Sequence, residues 1–257
     1  MVSRQPSLFA RVLEPLSACL WTLFVLWTAV VATVWMSGFG NVELDHLVAN
    51  PGLRGALEFI LRSLDAAWFA LAGANVYLTL AEEESLVVAR RWASLVIGGS
   101  WIIAAASVWS SFPLGAIRYT ACLGMRIGPV PFGLLFMWFA FVMGARALAL
   151  RLAPRATHFQ VSMAAGLLVA LTAANLDPLA WRFRAFWLWQ PPSGTPTALA
   201  FMQNSATWML ASFGFVFAMR ETRVASASFG GFPRSATIII VFNVVFLLTH
   251  GVRVFRG

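Results

Sequence analysis

Two stretches of the chain hold most of the polar and aromatic residues that could do chemistry in an otherwise apolar sequence. The first, residues 112–133, contains one tyrosine, two arginines, three prolines and four glycines. The second, residues 177–208, contains Asp177, Trp187, Trp189, Asn204 and Trp208. Carboxyl, amide and phenol groups form hydrogen bonds, and aromatic rings offer flat apolar surfaces to a ligand. The rest of the chain must bring these two stretches into one space.

A third group of polar residues lies near the start of the second apolar segment. Glu58, Arg62 and Asp65 are spaced i, i+4 and i+7, so on a helix they share one face and can form ion pairs along it. Ionisable groups inside a membrane are costly and normally point into a helical bundle. Two interpretations stay open: a salt-bridge ladder at the membrane interface, or a polar cavity to which Asp65 contributes.

The composition predicts the elements that position these residues. Only 11% of the residues are charged and the mean hydropathy is +0.79. Since a helical span needs about 20 apolar residues and barrel-type alternation is absent, the sequence predicts an all-α integral membrane bundle. We expect about seven transmembrane helices in a single domain over residues 1–257. The predicted spans are 16–36, 56–80, 92–109, 132–150, 161–176, 199–219 and 235–252.

The order of the spans places both motif stretches on one side of the membrane. With seven spans, the connections after the third and the fifth helix face the same leaflet, whichever way the protein inserts. Ten arginines fall on the other side, with the amino terminus, against eight on the motif side. The positive-inside rule then predicts a cytoplasmic amino terminus, and we expect the bacterial cytoplasmic membrane as the location.

Composition also excludes several classes of function. The chain contains no lysine, so a Schiff base to retinal is impossible. Its net charge of +8 is spread over every loop, which fits lipid headgroups and predicts no nucleic-acid partner. Cys19 and Cys122 have neither the spacing of metal ligands nor that of a disulfide framework. A small-solute transporter is disfavoured because no internal repeat is present.

The motifs in the two stretches resemble those of a known family. Residues 110–120 read Ser-Ser-Phe-Pro-Leu-Gly-Ala-Ile-Arg-Tyr-Thr, and Leu123-Gly124 and Val130-Pro131 follow in register. The second stretch has the run 176–180, Leu-Asp-Pro-Leu-Ala, then Trp187-Leu188-Trp189, and Asn204 before Trp208. Over about residues 90–220 the chain is similar to the membrane-embedded carotenoid biosynthesis family that includes the carotenoid 1',2'-hydratases and the bisanhydrobacterioruberin hydratases.

The resemblance implies acid-catalysed addition of water to the terminal double bond of an acyclic carotenoid. It implies a carotenoid substrate or pigment and membrane lipids as partners, with other membrane proteins of the pathway as further candidates. Such chemistry needs neither a redox cofactor nor a metal. By this resemblance we assign catalytic roles to Asp177, Tyr119 and Asn204, with Asp177 as the proton donor or as the base that orients water. The residues assigned to substrate binding are Pro113, Gly115, Arg118, Trp187, Trp189 and Trp208.

Two departures from the family pattern leave an alternative open. The family usually has a glutamate and an aspartate at positions that correspond here to Ala104 and Ala173. If those acids donate the proton elsewhere in the family, this chain has lost them. The alternative function is therefore a non-catalytic subunit that binds carotenoid or assists assembly. Asp177 also has an alternative role, as a helix cap or turn residue before Pro178.

Overall fold

A computed structural model describes residues 8–38, 50–190, 197–219 and 233–256. Most of these residues belong to seven long helices: α1 (Leu8–Ser37), α2 (Pro51–Glu83), α3 (Leu86–Ser110), α4 (Phe132–Leu152), α5 (His158–Arg182), α6 (Ala198–Ala218) and α7 (Arg234–Arg256). Within the described ranges, short strands lie only in the connections after α3 and α5: β1 (Ile117–Tyr119), β2 (Arg126–Ile127), β3 (Val130–Pro131) and β4 (Trp187–Trp189). The predicted all-α bundle is confirmed within the described residues.

Six of the seven helices are long and apolar enough to cross a membrane. The helix outside this group is α6, which has the same length as α4 but a more polar first half containing Gln203, Asn204 and Thr207. These three side chains all form hydrogen bonds to neighbouring elements. The sequence-based expectation of about seven spans therefore corresponds to seven long helices, six of which have a clear membrane-spanning composition.

Local sequence explains where several helices begin. Asn50, Ser85, Thr157 and Thr197 each accept a hydrogen bond from a backbone N–H of the first turn of α2, α3, α5 and α6. Such side chains satisfy donors that have no partner within the helix. At α5, Gln160 also accepts a hydrogen bond from the backbone N–H of Thr157, which completes a capping box.

The carboxyl end of α5 differs from the sequence prediction. The predicted span ends at residue 176, whereas α5 continues to Arg182 with Pro178 inside it. Proline removes one backbone hydrogen bond from a helix, yet its fixed φ remains compatible with helical backbone. Asp177 therefore lies inside α5 and caps no helix. This position matters because the helical backbone of α5 sets the direction in which the Asp177 side chain points.

Close contacts between small residues hold α5 against α6. A Cβ atom added at Gly166 would lie 2.7 Å from the carbonyl oxygen of Met209 and 3.2 Å from Cβ of Phe213. In membranes, small residues at helix contacts allow backbones to approach and gain dispersion energy. At this level of the bundle, α5 and α6 leave no space between them.

Charged side chains join the helices at the end of the bundle opposite the motif stretches. Nη1 of Arg146 lies 3.3 Å from Oε1 of Glu84, and Nη1 of Arg234 lies 3.8 Å from Oε2 of Glu82. Arg234 also donates a hydrogen bond of 2.6 Å to Oγ of Ser17. Because burial is the dominant effect, the pKa of Glu84 is raised above its usual value, although Arg146 acts in the opposite direction.

The two motif stretches pair with each other at the other end. Strands β1 and β4 form an antiparallel sheet in which Ile117 lies opposite Trp189 and Tyr119 lies opposite Trp187. Backbone hydrogen bonds extend the pairing on both sides, from Gln190 to Ala116 and from Thr120 to Phe186. The prediction that the two stretches share one space is confirmed by direct contact.

Candidate functional site

Asp177 is a buried carboxyl group at the start of the second motif stretch. It lies five residues before the end of α5, roughly 7.5 Å along the helix axis from Arg182. Its exposed fraction is 1%. Strand β4 and helix α6 each contribute a side chain that contacts it, so three separate elements meet at this carboxyl group.

The two oxygens of Asp177 have different surroundings. Oδ1 accepts hydrogen bonds from Nε1 of Trp187 at 3.0 Å and from Nδ2 of Asn204 at 3.4 Å. Oδ2 is buried and has no hydrogen-bond partner among the described residues. Buried polar atoms are nearly always paired, so an exception requires an explanation. A carboxyl oxygen of this kind has a free position for a proton or for a hydrogen bond to a ligand.

The β1–β4 sheet presents one buried and one exposed face. Tyr119 and Trp187 lie opposite each other on the buried face, and so do Ile117 and Trp189. Burial raises the pKa of the Tyr119 phenol above its usual value. Arg118 lies on the other face and is exposed to the surroundings. The structure therefore brings Tyr119, Trp187 and Trp189 to the buried side of the site and leaves Arg118 outside it.

Pro113 and Gly115 bring the first motif stretch into contact with Trp189 and with helix α6. The ring of Trp189 covers Gly115, where an added Cβ atom would lie 2.8 Å from Cζ3, and the φ of Gly115 is +102°. A side chain at this position would be disfavoured by both the backbone conformation and the ring. The carbonyl oxygen of Pro113 accepts a hydrogen bond of 2.8 Å from Oγ1 of Thr207. Thr207 thus ties α6 to this stretch.

Trp208 continues the site toward the centre of the bundle. It lies four residues after Asn204, about one helical turn, and stacks on Trp138 of α4 with ring centroids 3.6 Å apart. Both rings are almost completely buried. The sequence singled out Trp208 but gave no reason to select Trp138 as its partner. Nε1 of Trp138 has no hydrogen-bond partner within the described part of the chain.

Both oxygens of a second buried carboxyl group, Asp65, accept hydrogen bonds from neighbouring side chains. Its Oδ2 accepts hydrogen bonds from Nε and Nη2 of Arg184 at 2.9 and 2.6 Å, and its Oδ1 accepts one from Nε1 of Trp35 at 2.8 Å. Arg184 comes from the segment between α5 and β4. This arrangement favours a structural ion pair over a polar cavity. The side chain of Arg62 is outside the described residues.

The two alanines that replace family acids are both buried. Ala104 is 0% exposed in α3, and Ala173 is 3% exposed in α5. Ala173 precedes Asp177 by four residues, so their side chains share one face of α5. An acid at position 173 would lie next to Asp177. Among the described residues, no group of three or more His, Cys, Asp or Glu side chains has the arrangement of a metal site.

Comparison with known families places most of this chain in one of them. A sequence profile described as "Carotenoid biosynthesis protein" matches residues 65–257, which is more than half of the chain. The matched region begins at Asp65 and includes both motif stretches. No curated protein and no solved structure gives a significant match.

Proposed function

The chain belongs to the family of carotenoid biosynthesis proteins, and from this premise we propose that it adds water to the terminal C=C bond of an acyclic carotenoid. The observation that carries the proposal is the unpartnered Oδ2 of the buried Asp177, whose Oδ1 accepts a hydrogen bond from the indole of Trp187. The protein is an integral membrane protein, and its substrate is dissolved in the lipid.

The proposed reaction begins with proton transfer from Asp177. The π electrons of the terminal bond form a new C–H bond at the less substituted carbon, which leaves a tertiary carbocation at the other carbon. Water then adds to the cation through oxygen, and the carboxylate of Asp177 takes back one proton from the resulting oxonium group. The net change is the addition of one water molecule. General acid–base catalysis of this type contributes about 10²–10⁴-fold to a rate.

The neighbours of Asp177 supply position and electrostatic stabilisation. Trp187 and Asn204 both donate to Oδ1, which leaves Oδ2 to hold the transferable proton. Aromatic faces attract cations within about 6 Å of the ring centroid, so Trp187, Trp189 and Trp208 are assigned to the end group on which positive charge develops. We assign Tyr119 and Asn204 to the orientation of water.

Pigment analysis tests the proposed reaction directly. The chain is expressed in a bacterial host that accumulates lycopene, and the carotenoids are separated by chromatography and identified by mass spectrometry. We expect a product heavier by one water with the wild-type chain and none with Asp177→Asn. Glu82→Gln, at the opposite end of the bundle, is the control and should retain the product. Hydration by Asp177→Asn at the wild-type rate would contradict the assignment of the acid.

The two buried alanines favour a second candidate, a non-catalytic carotenoid-binding or assembly subunit. It predicts that lycopene is retained by the purified protein without being converted. The double variant Ala104→Glu/Ala173→Asp restores the acids of the family pattern and would then produce a hydrated carotenoid that the wild-type chain does not. Production by the wild-type chain would exclude this candidate as its sole function.

A further inference from the structure

An open groove lies between the carboxyl end of α5 and the amino end of α6. It has a volume of about 320 Å³ and is lined by Pro178, Trp181, Arg182, Thr197, Ala198, Phe201 and Met202. Arg182 and the hydroxyl of Thr197 are its polar parts, the other side chains are largely apolar, and Met202 is 67% exposed. We call this space the α5–α6 groove. In a membrane protein, a groove of this composition at a helix end is open to the hydrocarbon of the lipid.

The groove lies next to Asp177 along both of its helices, although the buried Asp177 and Asn204 do not line it. On α6, Thr197 and Phe201 precede Asn204 by seven and three residues, so the three side chains fall on one stripe of the helix. On α5, Trp181 follows Asp177 by four residues and lies above it on the same face. The inner ends of these stripes meet where Asn204 donates to Asp177.

The groove is closed at its inner end and bordered by charge at its outer end. Farther into the bundle, the contact of Gly166 with Met209 and Phe213 brings α5 and α6 together. At the outer rim, the guanidinium of Arg182 lies 4.7 Å from the centroid of the Trp181 ring and its side chain is exposed. Long cationic side chains keep their charge at the headgroup level. The space open to an apolar chain therefore lies between Arg182 at the rim and the level of Gly166.

The size of the groove selects what can occupy it. Its volume is at the lower end of the range of about 300–1,000 Å³ that is usual for small-molecule sites. It can therefore enclose the branched end of a long polyene, while the rest of the molecule remains in the lipid. A saturated lipid chain has no group that an acid can protonate, whereas the terminal C=C bond of an acyclic polyene has one.

We propose that the α5–α6 groove is the lateral entrance for the acyclic end of the polyene, which passes from the lipid between Trp181 and Phe201 to reach Asp177. This inference rests on the proposed function. Ala198 and Met202 line the groove and are the positions at which a larger side chain would fill it.

Groove-filling variants test the entrance. Ala198→Trp and Met202→Trp place an indole in the groove, whereas Leu199→Trp places the same ring on the neighbouring residue, which is 74% exposed and does not line the groove. Each protein is reconstituted in phospholipid vesicles with lycopene and then purified. The bound lycopene per protein is measured by absorbance, and hydrated product by mass spectrometry. Thermal unfolding verifies that all variants are folded.

We expect Ala198→Trp and Met202→Trp to bind lycopene at least tenfold less than the wild type, and Leu199→Trp to bind it equally well. If no chain forms hydrated product but this difference in binding remains, the proposed reaction fails and the entrance stands. If product forms at the wild-type rate in both groove-filling variants, the entrance is wrong and the reaction stands. Displacement of phospholipid alone, with unchanged lycopene binding, would identify the groove as a lipid site and overturn the inference.

Discussion

Asp177 and Asp65 are two carboxyl groups buried in one bundle whose surroundings assign them different tasks. Asp65 contacts a guanidinium and an indole N–H that together engage both of its oxygens. Asp177 contacts two neutral donors that engage only one oxygen. Charge-assisted hydrogen bonds are the stronger kind. Asp177 therefore has one oxygen free to hold a transferable proton, whereas both oxygens of Asp65 already accept hydrogen bonds.

At the residue scale, we predict that Trp187→Phe weakens hydration while the pocket keeps its shape. The change removes the N–H that donates to Oδ1 of Asp177 and retains an aromatic ring. A hydrogen bond to a charged or ionisable group is worth about 1.5–3 kcal/mol, so the rate should fall by about 10–100-fold. Product formation per folded protein is the measurement.

Trp189→Phe is the matched comparison because both rings lie on the buried face of β4, and Nε1 of Trp189 has no partner among the described residues. We expect its loss of rate to be clearly smaller. Equal losses of hydration rate in the two variants would show that the rate depends on ring volume and not on the hydrogen bond to Asp177.

At the element scale, the ion pair between Asp65 and Arg184 anchors the segment that carries β4. Arg184 lies three residues before Trp187, so α2 holds the position of the strand whose indole reaches Asp177. Arg253 of α7 reinforces this region: it donates to the carbonyl oxygen of Trp35 at 3.1 Å and lies over the ring of Phe183. The geometry of the site thus depends on helices that do not contact the substrate.

Asp65→Asn should therefore destabilise the protein strongly. It leaves a guanidinium that is only 9% exposed without its counter-charge, and breaking a buried pair in this way costs about 3–5 kcal/mol. Glu82→Gln disrupts the exposed pair with Arg234, which should cost no more than about 1 kcal/mol. Unfolding in detergent by a titrated denaturant measures both.

Similar stabilities for these two variants would contradict the anchoring role of Asp65. If Asp65→Asn retains its stability but forms no product, the acid role belongs to Asp65. Wild-type hydration in both Asp65→Asn and Asp177→Asn would remove both carboxyl groups as the acid.

The sequence predicted local features of these elements better than their long-range partners. Apolar length and the absence of barrel-type alternation predicted the bundle, and the order of spans placed both motif stretches on one side. The partner of Asp65 is 119 positions away, and nothing in local spacing separates Arg184 from the other 17 arginines. Likewise, nothing in local spacing pairs Trp138 with Trp208 among the 12 tryptophans. The predicted span that ends at residue 176 stopped short of Arg182, where α5 ends.

At the scale of the whole molecule, the contacts define two ends of the bundle. One end carries β1, β4 and the ion pair of Asp65, and the other carries the pairs of Glu84 and Glu82. The excess of arginine on the second end predicts that it faces the cytoplasm. The amino-terminal residues 1–7, which belong to that prediction, lie outside the described residues.

Cysteine labelling tests this orientation. In a chain with Cys19 and Cys122 replaced by serine, Arg118→Cys and Arg155→Cys each introduce one exposed thiol, at opposite ends. In intact bacterial cells, a membrane-impermeant maleimide should label Arg118→Cys, and it should label Arg155→Cys only after lysis. The reverse pattern would place the site on the cytoplasmic side.

The pairing of β1 with β4 also fixes an order of events during biosynthesis. At about 5–20 residues per second, the ribosome makes β4 roughly 3–14 seconds after β1. During that interval the edge of β1 lacks its partner strand, and hydrocarbon offers no hydrogen bonds to replace it. The newly synthesised β1 segment must therefore remain in the hydrated headgroup layer until α5 has inserted. Its exposed Arg118 is suited to hold it there.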